Sequence, residues 1–260
     1  MRFSMISLGA LMLATATPAL AQDETEPAPA VTVNGSAAVV SDYRFRGISQ
    51  TDGNFAVQGG ITVSHESGFY VSVWGSSIDD YVTMHGTSNQ EIDLIAGFKK
   101  SFGGATVDVG ALYYVYPGTR AAGDDSASDF IEPYLAVSYA LGPVTAKATA
   151  AYAPKQKALA IDQGATGTLP KEDNLYLAGD LSATIPNTPI GVTAHLGHTF
   201  GPSWLSGPTD EYTDWSLGAT YTWKALTLGV QYVDTDTFFI TPSGKDAAEG
   251  GIVGSLTVSF

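Results

Sequence analysis

The 260 residues carry 12 Lys and Arg against 26 Asp and Glu, a net charge of −14, and no cysteine. The missing cysteine excludes a disulfide framework and any thiolate metal site. The acidic balance excludes a non-specific nucleic-acid binder, which needs clustered Lys and Arg against phosphates.

In chain order, Met1–Ala21 reads as an export signal: Arg2, an apolar core from Met5 to Ala14, then Ala19-Leu20-Ala21 as a small-residue cleavage site before Gln22. Residues 22–30, acidic and with two prolines, read as a flexible tail. No later run of about 18 apolar residues predicts a membrane helix.

From Val31 the chain resolves into twelve segments of alternating polarity, each of roughly 8 to 13 residues, the length of tilted membrane strands. They are Val31–Arg44, Asn54–Ser64, Phe69–Ser77, Gln90–Lys100, Ala105–Tyr116, Phe130–Tyr139, Val144–Ala153, Asn174–Ile185, Ile190–Phe200, Asp214–Trp223, Leu226–Asp234 and Gly251–Phe260. In the last, Ile252, Leu256, Val258 and Phe260 alternate with Ser255, Thr257 and Ser259, the period-2 pattern of a strand between two different solvents. Where one face meets lipid, open edges leave N–H and C=O groups without water, so only a closed barrel is allowed.

The connections alternate in length. Short turns fall at His65–Gly68, Ser101–Gly104, Ala140–Pro143, Pro186–Pro189 and Lys224–Ala225; long ones at Phe45–Gly53, Ile78–Asn89, Pro117–Asp129, Pro154–Asp173, Gly201–Thr213 and Thr235–Gly250. This order predicts an all-β, transmembrane, antiparallel up-and-down barrel of about twelve strands with both termini and all short turns periplasmic.

On the greasy parity, Tyr43, Phe55, Tyr113, Tyr152, Phe200, Trp215 and Tyr232 fall near the outer end, and Phe69, Phe98, Tyr139, Tyr221, Trp223 and Phe260 near the inner end. Two aromatic girdles are what a bilayer-embedded barrel should show. A soluble sandwich or lipocalin-like barrel would need large side chains on the other face, which here is rich in Ser, Thr, Gly and charge. Tyr70 and Trp74 take the inward parity and Pro133 interrupts a strand; a bulge or rings narrowing the lumen would each account for them.

Inward parity places Arg44, Arg46, Glu91, Asp93, Glu132 and Asp214 in the outer half of the lumen, Lys99, Asp108, Lys147 and His195 lower, and Asp180 near the middle. Opposed charges across a narrow passage set up a transverse field that orients polar solutes. The same charges can instead neutralise one another in a plugged lumen. Arg44 and Arg46, beside the first long loop, are the expected basic side of a constriction.

Catalysis has few candidates. His195 and His198 point to opposite faces of one strand, His65 falls in a turn and His85 in a loop, and no Gly-x-Ser-x-Gly elbow occurs. Acidic loop clusters such as Asp79-Asp80 and Asp124-Asp125 match no calcium-loop spacing, so neither a metal nor another cofactor is expected.

Ser41-Asp42-Tyr43-Arg44-Phe45-Arg46-Gly47-Ile48-Ser49-Gln50, Ala56-Val57-Gln58-Gly59-Gly60, His65-Glu66-Ser67-Gly68-Phe69-Tyr70 and Val73-Trp74-Gly75-Ser76 together resemble the TorF family of Gram-negative outer-membrane porins, as do Tyr113-Tyr114-Val115-Tyr116-Pro117 and Glu132-Pro133-Tyr134. The resemblance covers most of the chain after residue 30 and is sharpest in its first third. It implies an outer-membrane pore.

The expected function is passive diffusion of small polar or charged solutes through a narrow charged lumen, with outer-membrane lipids and the barrel-assembly machinery as partners, the latter reading the last strand and Phe260. An outer-membrane barrel hydrolase of lipid or peptide and a closed adhesive barrel are the alternatives.

Overall fold

The computed structural model describes residues 29–83, 86–119, 128–160 and 171–260. The export signal, most of the tail, His85 and Asp124-Asp125 lie outside them. Twelve strands form the wall: β1 (Val31–Val40), β4 (Ala56–His65), β5 (Phe69–Ser77), β6 (Gln90–Phe102), β7 (Ala105–Val115), β8 (Phe130–Leu141), β9 (Val144–Gln156), β10 (Glu172–Thr184), β11 (Ile190–Phe200), β12 (Tyr212–Trp223), β13 (Leu226–Thr235) and β14 (Gly251–Ser259). Two short strands, β2 (Arg44–Phe45) and β3 (Ile48–Ser49), pair only with each other.

Each wall strand pairs antiparallel with its sequence neighbours, and β1 closes on β14. The seam runs from Ser36 opposite Ser259 to Val40 opposite Ser255. Phe260 extends it, exchanging N–H···O bonds with Gly35 at 2.8 and 2.9 Å. No backbone edge is left along the wall, as a sheet with an apolar outer face requires.

The alternation in β5 shows how the sequence sorts the two faces. Phe69, Val71 and Val73 are exposed, while Tyr70, Ser72 and Trp74 are buried. Around the barrel the outward residues are large and apolar, including Val57, Leu94, Leu135, Leu196, Leu217, Leu228 and Ile252, the last 74% exposed. An apolar surface wrapped round a whole barrel far exceeds the patch of a few hundred Å² that a water-soluble monomer exposes.

Strands β6–β7, β8–β9 and β12–β13 join through two-residue hairpin loops at 103–104, 142–143 and 224–225. These lie at the same end as Val31 and Phe260. At the other end the described parts of the long connections pack together. The core is there: Ile78, Val82, Ala158 and Leu159 from the loops meet Tyr114, Phe130 and Tyr176 from the wall and Tyr116 just past the end of β7.

Three readings of the sequence are corrected or resolved. The first strand ends at Val40, not Arg44, because Asp42 gathers its neighbours into a local network. Its carboxylate accepts from Ser49 Oγ at 2.5 Å, Thr51 Oγ1 at 3.1 Å and Arg44 Nε at 2.5 Å. Such side-chain bonds compete with the strand ladder and turn the chain.

Tyr43 therefore leaves the girdle. It is 3% exposed, its hydroxyl donates to Glu91 at 2.7 Å and its ring meets Trp74 edge-on at 5.6 Å. The other predicted girdle rings are exposed, apart from Phe98, which is half-buried against Phe69.

Tyr70 and Trp74 need no bulge: β5 keeps register with both neighbours and the rings narrow the lumen. Pro133 sits where the β8–β9 ladder has lapsed, one residue beyond the last pair, Tyr134 opposite Ala151. The Gln156 side chain takes over, its Oε1 accepting from Ile131 N–H at 2.8 Å and its Nε2 donating to Ile131 O at 2.9 Å.

Candidate functional site

The segment between β1 and β4 folds into the barrel as a plug. Phe45 pairs with Ile48, leaving Arg46 and Gly47 as a two-residue tip with φ of 47° and 82°. Positive φ at both positions is the tight hairpin turn whose twist matches its strands. A Cβ at Gly47 would stand 2.3 Å from Thr235 Cγ2, so only glycine fits against the wall of β13.

The tip carries Arg46 into the lumen. Its Nη2 lies 2.6 Å from Glu132 Oε1, both side chains almost fully buried, and its Nη1 donates to Asn174 Oδ1 at 2.9 Å. The guanidinium sits 4.1 Å from the Tyr176 ring centre. Arg44 stays at the plug's rim: it bonds Asp42 and donates to the carbonyls of Ala247 and Glu249 at 3.1 and 2.9 Å. Both arginines thus come from the loop, and neither stands on a strand's inner face as the parity reading had it.

Below Arg46 a line of polar side chains descends β9–β12. Tyr176 donates to Asp214 Oδ1 at 3.0 Å. His195 Nε2 lies 2.8 Å from Asp214 Oδ2, and its Nδ1 2.7 Å from Asp180 Oδ1. Asp180 is 3.6 Å from Lys147 Nζ. Ionised carboxylates only accept, so a ring set between two of them donates from both nitrogens and carries a positive charge. Asn174 and Tyr176 share the inward parity of Asp180 on β10, the signal by which the sequence marks them, but carry no formal charge.

The opposite wall, β5–β8, is filled. Tyr114 stacks on Phe130 at 4.2 Å, Glu91 accepts from Tyr43 and Tyr116 at 2.7 and 3.0 Å, and Asp93 is buried beside them. Tyr134 hydrogen-bonds to Tyr70, whose hydroxyl donates to Asp108 at 2.8 Å, and Asp108 pairs with Lys99 at 2.8 Å. Glu91 and Asp93 are thus inward, as predicted, but packed in this wall.

The remaining space is one-sided. A cavity of about 310 Å³ lies against β9–β14, β1 and β4, roofed by Asp42, Tyr43, Arg46 and Trp74. At the mouth above it the loops pack apolar groups: Trp204 meets Phe239 edge-on at 5.5 Å and donates to Val82 O at 3.1 Å. Burial pushes the Tyr81 phenol up to about 12, with the Asp52 N–H pulling the other way.

Asp52 ties this mouth to the last loop. It accepts from Thr241 Oγ1 at 2.9 Å and lies 3.3 Å from Lys245 Nζ. Burial alone would raise its carboxyl, but bonds from Ser243, Thr241 and Lys245, with the Lys245 charge, hold it below the usual range.

Fold and lumen together define a closed twelve-strand barrel with an apolar outside, a polar inside and an inserted loop. The family model for a bacterial protein of unknown function (Gcw_chp) matches residues 24–251, and the chain belongs to that family. Among solved structures, the barrel is similar to a membrane protein from a study of in-meso crystallization, at 11% identity and TM-score 0.52, over 87% of this chain and 83% of that one. It is also similar to an outer membrane channel from Pseudomonas putida, 11% identical with TM-score 0.48 over 92% and 98% of the two chains. The outer membrane channel DcaP of Acinetobacter baumannii is 12% identical, with TM-score 0.42 over 88% and 97%. At these identities the likeness is one of fold. No curated protein sequence matches the chain.

Proposed function

We propose that this chain is an outer-membrane channel of the kind its TorF resemblance implies, passing small polar solutes by diffusion and closed at rest by the segment between β1 and β4. The observation that carries the reading is a cavity of about 310 Å³, with charged and hydroxyl side chains in its lining, inside a barrel whose outer face is apolar. Residues 1–21 direct export, lipid surrounds the girdles, and the last strand with Phe260 engages the assembly machinery. The short turns and both chain ends face the periplasm.

Two features of Arg46 oppose the plug's hold. Arg46 has left-handed backbone, which costs a non-glycine residue of order 1 kcal/mol. Its buried Nε has no partner among the described residues. Both terms oppose the attraction to Glu132, whose desolvation cost is already large.

The reading has no catalytic step. His195 commits both ring nitrogens to carboxylates and has none with which to accept a nucleophile's proton. Ester or peptide hydrolysis above a boiled control would overturn this part.

Single-channel recording in planar bilayers tests the whole. The native barrel should open briefly and rarely, and a variant with residues 44–49 replaced by Gly and Ser should conduct steadily. Silence from both would leave a closed structural barrel in place of a channel.

A further inference from the structure

We propose that the cavity is a binding site for small, uncharged, polyhydroxylated solutes of monosaccharide size. This rests on the channel reading and names the solute class for the same lumen.

The first observation is charge balance. Among the described residues, the cavity lining holds four cations and four anions, and each is engaged. Arg44 faces Asp42, Arg46 faces Glu132, and Lys147 and His195 share Asp180 and Asp214. A charged solute would have to break one of these pairs and strand its partner, at a cost larger than the new contact returns. A zwitterion meets the same obstacle twice.

The second observation is what else lines the wall. Twelve Ser and Thr side chains do so, and a hydroxyl both donates and accepts, so it can exchange water for a solute hydroxyl without a charge penalty. Two lining groups have capacity to spare: Thr149 Oγ1 and Gln231 Oε1 are buried without partners among the described residues. Tyr43, Trp74 and Tyr176 add flat aromatic surface. Apolar faces with a few placed hydrogen-bonding groups make a small-molecule site, and 310 Å³ is at the low end of the roughly 300–1,000 Å³ such sites occupy.

Saturation-transfer NMR on the native barrel in detergent reads binding without requiring conduction. Glucose should receive saturation from the protein, whereas citrate, spermidine and glycine betaine should not. Lys147→Met, which leaves the lining one negative charge in excess, should admit spermidine while keeping at least half the glucose signal. Binding of a charged probe or betaine in place of glucose, or of none of the four, overturns the proposal.

Swelling of proteoliposomes in isotonic glucose separates the two readings. Glucose binding without swelling in the plug-replaced variant sinks the channel and spares the site; swelling that sorts solutes by charge sinks the site and spares the channel.

Discussion

Arg46 concentrates the energetics of the lumen in one side chain. With its partner Glu132 it is almost fully buried, and removing one member of such a pair typically costs about 3–5 kcal/mol because the other charge is stranded. Here the stranded group sits under a movable loop, so the loss should appear as opening more than as global unfolding. Arg46→Ala should raise the open fraction in bilayer recordings at least tenfold, and Arg46→Met with Glu132→Leu should restore closure. An unchanged open fraction in the single variant would remove the pair from gating.

Asp52 gives the plug a pH dependence of known sign. Its folded value lies below the ordinary 3.8, so its bonds to Thr241 and Lys245 contribute above that ordinary value and are lost as pH falls through the folded one. Because Lys245 is largely exposed, the pair is worth under about 1 kcal/mol. Conductance of the native barrel should rise below about pH 4, and Asp52→Asn, which has no group to titrate there, should lose that rise and conduct more than the native barrel at pH 6. A flat profile from pH 6 to 3 would show that the tie does not hold the mouth.

At the scale of strands, the filled half of the lumen seats its large inward rings over glycine on facing strands. A Cβ at Gly97 on β6 would lie 2.6 Å from the Tyr70 hydroxyl of β5, so the ring lies flat only over a residue without a side chain. Gly97→Val should overpack this wall and cost about 1–3 kcal/mol. Urea unfolding of the refolded protein checks it, along with loss of the Tyr70 contact to Asp108, 2.8 Å in the native wall. On the cavity side many of the inward positions are Ser, Thr and Ala, and space remains between the charged groups.

Strands were the most legible part of the sequence. Ile190–Phe200 and Phe69–Ser77 have the predicted bounds, since alternating polarity is a property of the strand itself. Tyr43 shows where that stops: its parity fits the girdle, but the strand had ended three residues earlier through bonds from Asp42 to Ser49 and Thr51. A plugged lumen was one of two open readings, but the segment that forms the plug was invisible for the same reason. Arg46 meets Glu132 across 86 residues, and alternation along one segment says nothing about a contact between two. The inward positions of Glu91, Asp93, Glu132 and Asp214 could be read; which of them face open space could not.

For the whole molecule, closure depends on the pairing of its first and last strands. Phe260 adds two backbone bonds to Gly35 and lays its ring over that residue, where a Cβ would stand 2.6 Å from the ring. Deleting Phe260 should shorten the seam and lower the yield of folded barrel severalfold. Gel mobility reads this directly, since a closed barrel stays compact in SDS until boiled and an open one does not. Equal heat-dependent mobility and equal yield would show that the seam closes without its last residue.

The same meeting of chain ends sets the order of events during biogenesis. Arg44 lies 203 and 205 residues from the carbonyls of Ala247 and Glu249 that hold it, and Asp52 lies 193 residues from Lys245. A strand-by-strand assembly machine handling this chain can seat Arg46 on Glu132 and Asn174 once β8 and β10 are in place, whereas the ties of Arg44 and Asp52 wait for the late loop. The half-built cylinder therefore carries its stopper fastened at the tip and loose at the rim, and latching the rim is a final maturation step that follows the zipping of the seam.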